Sequence, residues 1–510
     1  MTKSETDHPV IVGRSRPFKN AGEGILIWLL CIAAALRVLI FSAAFPFFSN
    51  VDEYLHFDVI TQYSQGQVPD SFNRLRGDAL DWIVPYASPE FLSAPEQFRN
   101  GKFPTPLWKQ SGAEVESEIA ATRAAWSDQV NFESSQPPLY YMLASVWWWI
   151  GKHVGFTGLQ SLYWIRVLNA LLIAIVVWVG YLAARTIAPE RIELRLGVPL
   201  LLAFIPQNVF YTINNDVLSP VCFGVLFLLL LQWLRAETHS VWLGVATGLA
   251  IAATYLTKLS NLPFIGVALL VIILKLLRIT WRRPAKELAT QAALLVFAAI
   301  PIGSWMVWNK VHFGDLTGST AKIGLLGWIQ KPLAAWWQHP IFTPGGFWVF
   351  SSSLIESFWR GELTWHGHFL NWGNVDWFFV ISSPVLLFSA ICGVASRSAF
   401  STFQRQAIGS AILVCLAGIF FLALLSIQFD FGDSTGPTRV HPYFTAGRLL
   451  SGALIPFTLI YVYGIAFLLA RTNREVWLLS IIAGIVAVTL ISEIGVNHEV
   501  FASEHNWFHR

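Results

Sequence analysis

The chain has 510 residues, of which 55% are hydrophobic and 13% charged, with 24 Trp and a formal net charge of +3. That balance excludes an ordinary soluble domain, and long apolar runs recurring from Ile25 to Ile494 predict an all-α polytopic membrane protein. In such a chain the placement of Lys and Arg matters more than their sum; membrane lipids are the expected surroundings, and no nucleic acid is expected as a partner.

In chain order, residues 1–24 carry Lys3, Arg14, Arg16 and Lys19 and are expected on the cytoplasmic side. The first apolar run, 25–45, has no small-residue cleavage site and reads as a retained span rather than a signal peptide. It is followed at once by NVDEYLHFDVI (50–60), which opens a polar segment, 46–137, broken by Pro69, Pro85, Pro89, Pro95, Pro104 and Pro106. LYYMLASVWWWIG (139–151) is short and aromatic, as suits a helix lying in the outer interface. Further spans are expected at 164–184, 196–213, 217–234, 241–257, 262–278 and 289–308. A second polar segment, 310–374, holds the Trp-rich WWQHP and ESFWRGELTWHG stretches and reads as a cover over a site. Spans at 375–395, 407–427, 447–470 and 476–495 and a tail, 496–510, complete the chain.

Orientation follows from the basic residues. If 139–151 crossed, Arg185, Arg191, Arg195 and the cluster KLLRITWRRPAK (275–286) would all fall outside. With that helix in the interface, those loops and Arg235, Arg397, Arg405, Arg471 and Arg474 are cytoplasmic. The result is about eleven spans, with the N-terminus inside and 46–137, 310–374 and the tail outside. Residues 25–309, with the outer segment 46–137, then form one membrane module and 375–495 a second one. The four cysteines, Cys31, Cys222, Cys392 and Cys415, lie within candidate spans, which leaves neither a disulfide framework nor a metal-type spacing. No GxxxxGK[ST] run occurs.

This topology gathers ionisable residues at one face: Asp52, Glu53, His56, Arg166, Asp216, Lys258 and Arg448, with Gln136 in ESSQPPLYY. Each has a bland reading. Asp52 and Glu53 suit a helix start, the three cations can snorkel to the interface, Asp216 suits a turn, and Gln136 with two prolines makes a stiff helix entry. The chemical reading is that Arg and Lys can hold an anionic group at this face while a carboxylate can accept a proton. Asp52 is the expected base, with Glu53 the fallback.

An acidic pair after the first span, the PPLYY segment, an Arg opening the next span, the Asp of TINNDVLSP, the Lys of TYLTKLSN and a late span containing GR together resemble the GT-C superfamily of membrane glycosyltransferases. Protein-mannosyltransferase and aminoarabinose-transferase-like enzymes are similar in pattern. A bacterial family of unknown function with DE…H, QPPLYY, NND and GR signatures is closer. The resemblance implies a GT-C-like bundle with outer juxtamembrane helices, placed in the bacterial inner membrane with its site facing the periplasm. It implies transfer of a sugar from a polyprenyl-phosphate-linked donor to an envelope glycan, lipid or protein acceptor. On this view Arg166, Lys258 and Arg448 meet the donor phosphate, and His56, Gln136, Tyr140 and Asp216 orient substrate. Two departures stand out: a Lys often occupies the place of Gln136 in aminoarabinose-transferase-like sequences, and no DXD surrounds Asp216. No cofactor is certain; a divalent metal on Asp52, His56 and Asp216 is the alternative. The rival function is a transporter or flippase of a polyprenyl-linked saccharide, which would place polar residues along a path through the spans; Arg37, Gln207, Gln232 and Lys275 are few.

Overall fold

The computed structural model describes residues 20–279, 284–396, 400–434, 436–469 and 474–509. Lys3, Arg14, Arg16, Lys19, residues 280–283 of the basic cluster, Arg397 and Arg471 lie outside the described residues. After α1 (Asn20–Ala44), the first polar segment forms α2 (Glu53–Ser64), α3 (Gly77–Tyr86) and α4 (Ala113–Trp126). Next come α5 (Leu139–Val154), α6 (Gly158–Ile187), α7 (Ile192–Ala203), α8 (Ser219–Arg235), α9 (Val241–Thr257), α10 (Leu262–Ile279) and α11 (Pro284–His312). The second polar segment carries α12 (Ser319–Leu325), α13 (Leu333–Trp336) and α14 (Pro344–Arg360). The chain ends with α15 (Gly373–Ala395), α16 (Thr402–Gln428), α17 (Leu454–Leu468), α18 (Arg474–Val496) and α19 (His498–Phe501). Sheet among the described residues is confined to two pairs of two-residue strands, Ile329–Gln330 with Phe429–Asp430 and Thr364–Trp365 with His368–Phe369.

The helices are apolar on both faces. In α1, Ile27, Cys31, Ala34 and Val38 recur at helical spacing and are buried, while Ile25, Trp28, Leu29, Ile32 and Leu36 face outward. A helix whose outer face is as apolar as its inner face is suited to lipid. Nine helices among the described residues are long and apolar enough to cross a membrane. Two of the eleven expected spans fall short of that length. One is α9, with 17 residues. The other, 196–213, breaks: α7 ends at Ala203 and the chain resumes as a 3-10 turn at Asn208–Tyr211. Pro206 explains the break, because it lacks an N–H and forces the residue before it out of helical backbone. The carbonyl freed at Ala203 accepts Arg37 Nε at 3.2 Å, and Arg37 Nη1 also pairs with Glu493 Oε1 at 2.8 Å, tying α1, α7 and α18 together inside the bundle.

The segment Gly447–Leu468 is the centre: 89% of its most apolar stretch is buried, against 17% for Glu287–His312 at the periphery. One end of the bundle collects all the long polar segments. Thr364 N donates to Asn50 Oδ1 at 3.0 Å, Lys322 pairs with Glu133 at 2.8 Å, and Ser503 of the tail bonds Glu90. At the opposite end Arg195 pairs with Glu23 at 2.7 Å, and Gln404 Nε2 donates to the Ile187 carbonyl at 3.3 Å. Helix α5 packs on α2 and on the first turns of α6. Trp147 and Trp164 stack at 4.5 Å and exchange indole N–H to carbonyl bonds.

Candidate active site

Two neighbouring carboxylates leave α1 and enter opposite surroundings. Glu53 opens α2 and is wholly buried. Its carboxylate accepts Arg166 Nε at 3.0 Å and Nη2 at 2.9 Å, and also Ser49 N at 3.0 Å and Ile213 N at 2.8 Å. The remaining Arg166 donors go to the carbonyls of Ser42, Phe45 and Pro46, where α1 runs out of its own helical partners. The guanidinium also lies over the Phe47 ring at 4.0 Å. This pair is a sealed clamp joining α1, α2, α6 and the turn at 213.

Asp52 stands one residue away with φ 64° and ψ 17°, a left-handed backbone uncommon outside glycine, and its side chain does not cap the helix it precedes. The carboxylate instead reaches out of α2 to Arg448, with Oδ2 at 3.1 Å from Nη2, and keeps 25% side-chain exposure. Arg448 is shared. Its Nε lies 3.2 Å from Glu362 Oε2 and its Nη1 3.7 Å from Asp216 Oδ2. Gly447 makes this reach possible, because the backbone there passes so close to α14 that an added Cβ would meet Phe358 N at 2.2 Å.

Asp216 is held by its own turn. Asn214 Oδ1 accepts Asp216 N at 3.0 Å, and Lys258 Nζ, at the end of α9, binds Asp216 Oδ1 at 2.6 Å. Asp216 Oδ2 is buried without a hydrogen bond among the described residues. Asn215 Nδ2 donates to Gln136 Oε1 at 3.3 Å. Behind these groups His56 Nδ1 meets Tyr141 Oη at 2.8 Å, while His56 Nε2 and Tyr140 Oη are buried without partners among the described residues. Burial lowers the His56 imidazole to about 4 against the opposing pull of Glu133, so the ring is neutral near pH 7. Burial pushes the Glu362 carboxyl above its ordinary value even with Arg448 beside it. Burial would likewise raise Glu133, but Lys322, His56 and Lys258 draw it down to about 2.

A protein-family model described as a predicted membrane protein, DUF2142, matches residues 36–425. The chain belongs to the DUF2142 family. The DUF2142 match takes in Asp52, Asp216, Lys258 and Glu362 and stops short of Arg448. No curated protein matches the chain in sequence. Among solved structures, ArnT from Cupriavidus metallidurans in the apo state is similar at 14% identity over 96% of this chain and 74% of its own, with a TM-score of 0.44. ArnT bound to undecaprenyl phosphate is similar at 12% identity over 94% and 74%, with a TM-score of 0.44. The Archaeoglobus fulgidus oligosaccharyltransferase in complex with Zn and sulfate follows at 13% identity over 92% of this chain and 52% of its own, TM-score 0.42.

The expected residues thus divide. Asp52, Asp216, Lys258 and Arg448 form one ion network, with Gln136 bonded to the neighbouring Asn215. Two expectations change. Arg166 has no nitrogen left for a phosphate, and Glu53, bound from four directions, is closed to a substrate proton. The alternative metal set is not assembled either: no three His, Cys, Asp or Glu side chains converge among the described residues, because Asp52 and Asp216 are taken up by cations and His56 turns to Tyr141. Glu362, Glu133 and Lys322 are additions. Their only sequence signal was a place in polar segments already expected at the same face.

Proposed function

We propose that the chain is a membrane glycosyltransferase that moves a sugar from a polyprenyl-phosphate-linked donor to an envelope glycan, lipid or protein acceptor at the loop end of the bundle, on the periplasmic side of a bacterial inner membrane. The observation that carries this reading is Asp52: a partly open carboxylate, held in strained backbone and facing a cation shared with two other acids. Asp52 takes the proton from the acceptor hydroxyl as that oxygen attacks the anomeric carbon. The bond from that carbon to the phosphate oxygen breaks in the same displacement, so the anomeric configuration inverts. Lys258 and Arg448 offset the charge left on the departing phosphate. Asp216 orients Lys258, and Glu53 with Arg166 fixes the backbone from which Asp52 projects.

The test incubates purified protein in detergent with a panel of synthetic polyprenyl-phosphate sugars and envelope acceptors and follows release of free polyprenyl phosphate. Release that depends on Asp52 is the expected result. No release from any donor, combined with movement of an intact lipid-linked saccharide across proteoliposomes, would replace this reading with a transporter.

A further inference from the structure

Beside the ion network a cleft of ≈ 150 Å³ opens between the bundle and the second polar segment. That is well above the ~10–15 Å³ needed for one water. Its lining residues include two lysines, Lys258 and Lys322, and four with hydroxyl side chains, Ser135, Ser260, Thr317 and Ser319. No carboxylate among the described residues lines it. Lys258 comes from the end of α9, whereas Lys322 comes from α12, in the polar segment expected only to cover the site. Ser260 Oγ is buried with no partner among the described residues.

The two sides of the cleft are fitted to each other. Gly318, at φ 68°, lets the α12 loop come so near residue 135 that an added Cβ would fall 2.7 Å from Ser135 Cβ. Lys322 is anchored from behind by Glu133 at 2.8 Å and by the Phe132 ring at 5.1 Å, and it retains 21% side-chain exposure. An ammonium group has three donors and one carboxylate does not exhaust them. Two lysines each braced by a buried acid, in a cleft also lined by hydroxyl side chains, match a tetrahedral oxyanion better than a neutral group.

We infer that this cleft is the phosphate subsite of the donor and that Lys322 is a phosphate-binding residue supplied by the second polar segment. The inference rests on the transferase reading and adds a residue that the sequence did not single out. A phosphate arriving from the bilayer is gripped from the bundle by Lys258 and from the loop by Lys322, so donor binding also fixes the loop over the site.

The test measures equilibrium binding to the full-length protein of a short-chain polyprenyl monophosphate, of the corresponding polyprenol and of inorganic phosphate. Wild type should prefer the polyprenyl phosphate to the alcohol; equal binding of the two would sink the transferase reading itself. Lys322→Ala should weaken polyprenyl phosphate about 10-fold, as expected for losing one charged hydrogen bond, and leave polyprenol unchanged. Lys331→Ala, on the same segment, should alter neither. Because Lys322→Ala strands the buried Glu133, the double variant Lys322→Ala/Glu133→Gln is decisive. Binding that stays weak supports phosphate contact, whereas full recovery means that Lys322 only neutralises Glu133 and overturns the inference. Competition by inorganic phosphate in wild type that is lost in the double variant shows that the cleft reads the phosphate group. If inorganic phosphate never competes while the double variant still loses polyprenyl phosphate, the subsite takes its phosphate only from a lipid. Should wild type prefer the phosphate lipid and every variant match it, the subsite lies elsewhere and the transferase reading is untouched.

Discussion

Asp52 and Glu53 are consecutive, carry the same charge and each meet an arginine, yet they belong to different parts of the molecule. The Glu53–Arg166 pair is closed on every side and spends all its hydrogen-bonding capacity on protein, including three carbonyls at the end of α1. The Asp52–Arg448 pair is looser, reachable from outside, and shares its cation with Asp216 and Glu362. An ion pair therefore says little by itself. What remains unsatisfied around it separates a brace from a reaction centre.

The largest effect should come from breaking the brace. Arg166→Ala leaves the Glu53 carboxylate buried and alone, and should destabilise the protein by about 3–5 kcal/mol in denaturant titration in detergent. A double change, Arg166→Met with Glu53→Leu, should recover much of that loss. If Arg166→Ala instead folds normally and fails only to bind donor, Arg166 is a substrate-binding residue and not a brace. Next, Asp52→Asn keeps the shape and tolerates left-handed backbone but cannot take a proton, so turnover should fall on the order of 100-fold with donor binding intact. Near-normal turnover in that variant would remove the base from the mechanism. Arg448→Lys replaces a fork reaching three acids by a single ammonium and should lower kcat/KM about 10-fold without unfolding the chain; an unchanged value would mean that the sharing is incidental.

The smallest effect concerns pH. His56 is held neutral, with its imidazole lowered from 6.5 to about 4. Its contribution to stability is present above pH 6.5 and is lost as pH falls toward about 4, because the unfolded chain takes up the proton first. Between pH 7 and 6 the loss should be about 0.7 kcal/mol, and His56→Gln should flatten the curve in that interval. A wild-type profile already flat there would place a charged ring in the folded protein.

The spans were legible because apolar length is a property of consecutive residues, and even the split at 196–213 is marked by Pro206. The shared face of Asp52, Asp216, Lys258 and Arg448 followed from loop charge alone. The division of labour between Asp52 and Glu53 did not, since it depends on which of two adjacent side chains meets the carbonyls at the end of α1. Glu362 and Lys322 were harder still. Glu362 sits in irregular chain and Lys322 in a helix of only seven residues, too short for periodicity to assign a direction, and their partners Arg448 and Glu133 lie 86 and 189 residues away. The break in α7 shows the same limit from another side: Pro206 announces the end of a helix, but nothing local says that Arg37 will take up the carbonyl it releases.

The sharing of Arg448 also bears on the order in which the protein is made. Asp52 and Arg448 are 396 residues apart. At ~5–20 residues per second of synthesis, the acid leaves the ribosome roughly 20–80 s before the base that compensates it. Until then Asp52, Asp216 and, later, Glu362 have Lys258 but not Arg448 to offset their charge. The Gly447–Leu468 segment is also the most enclosed of the crossing helices, so the step that inserts the central staff of the bundle is the step that brings in the missing cation. The cation that links the three acids and the most enclosed crossing segment therefore arrive together.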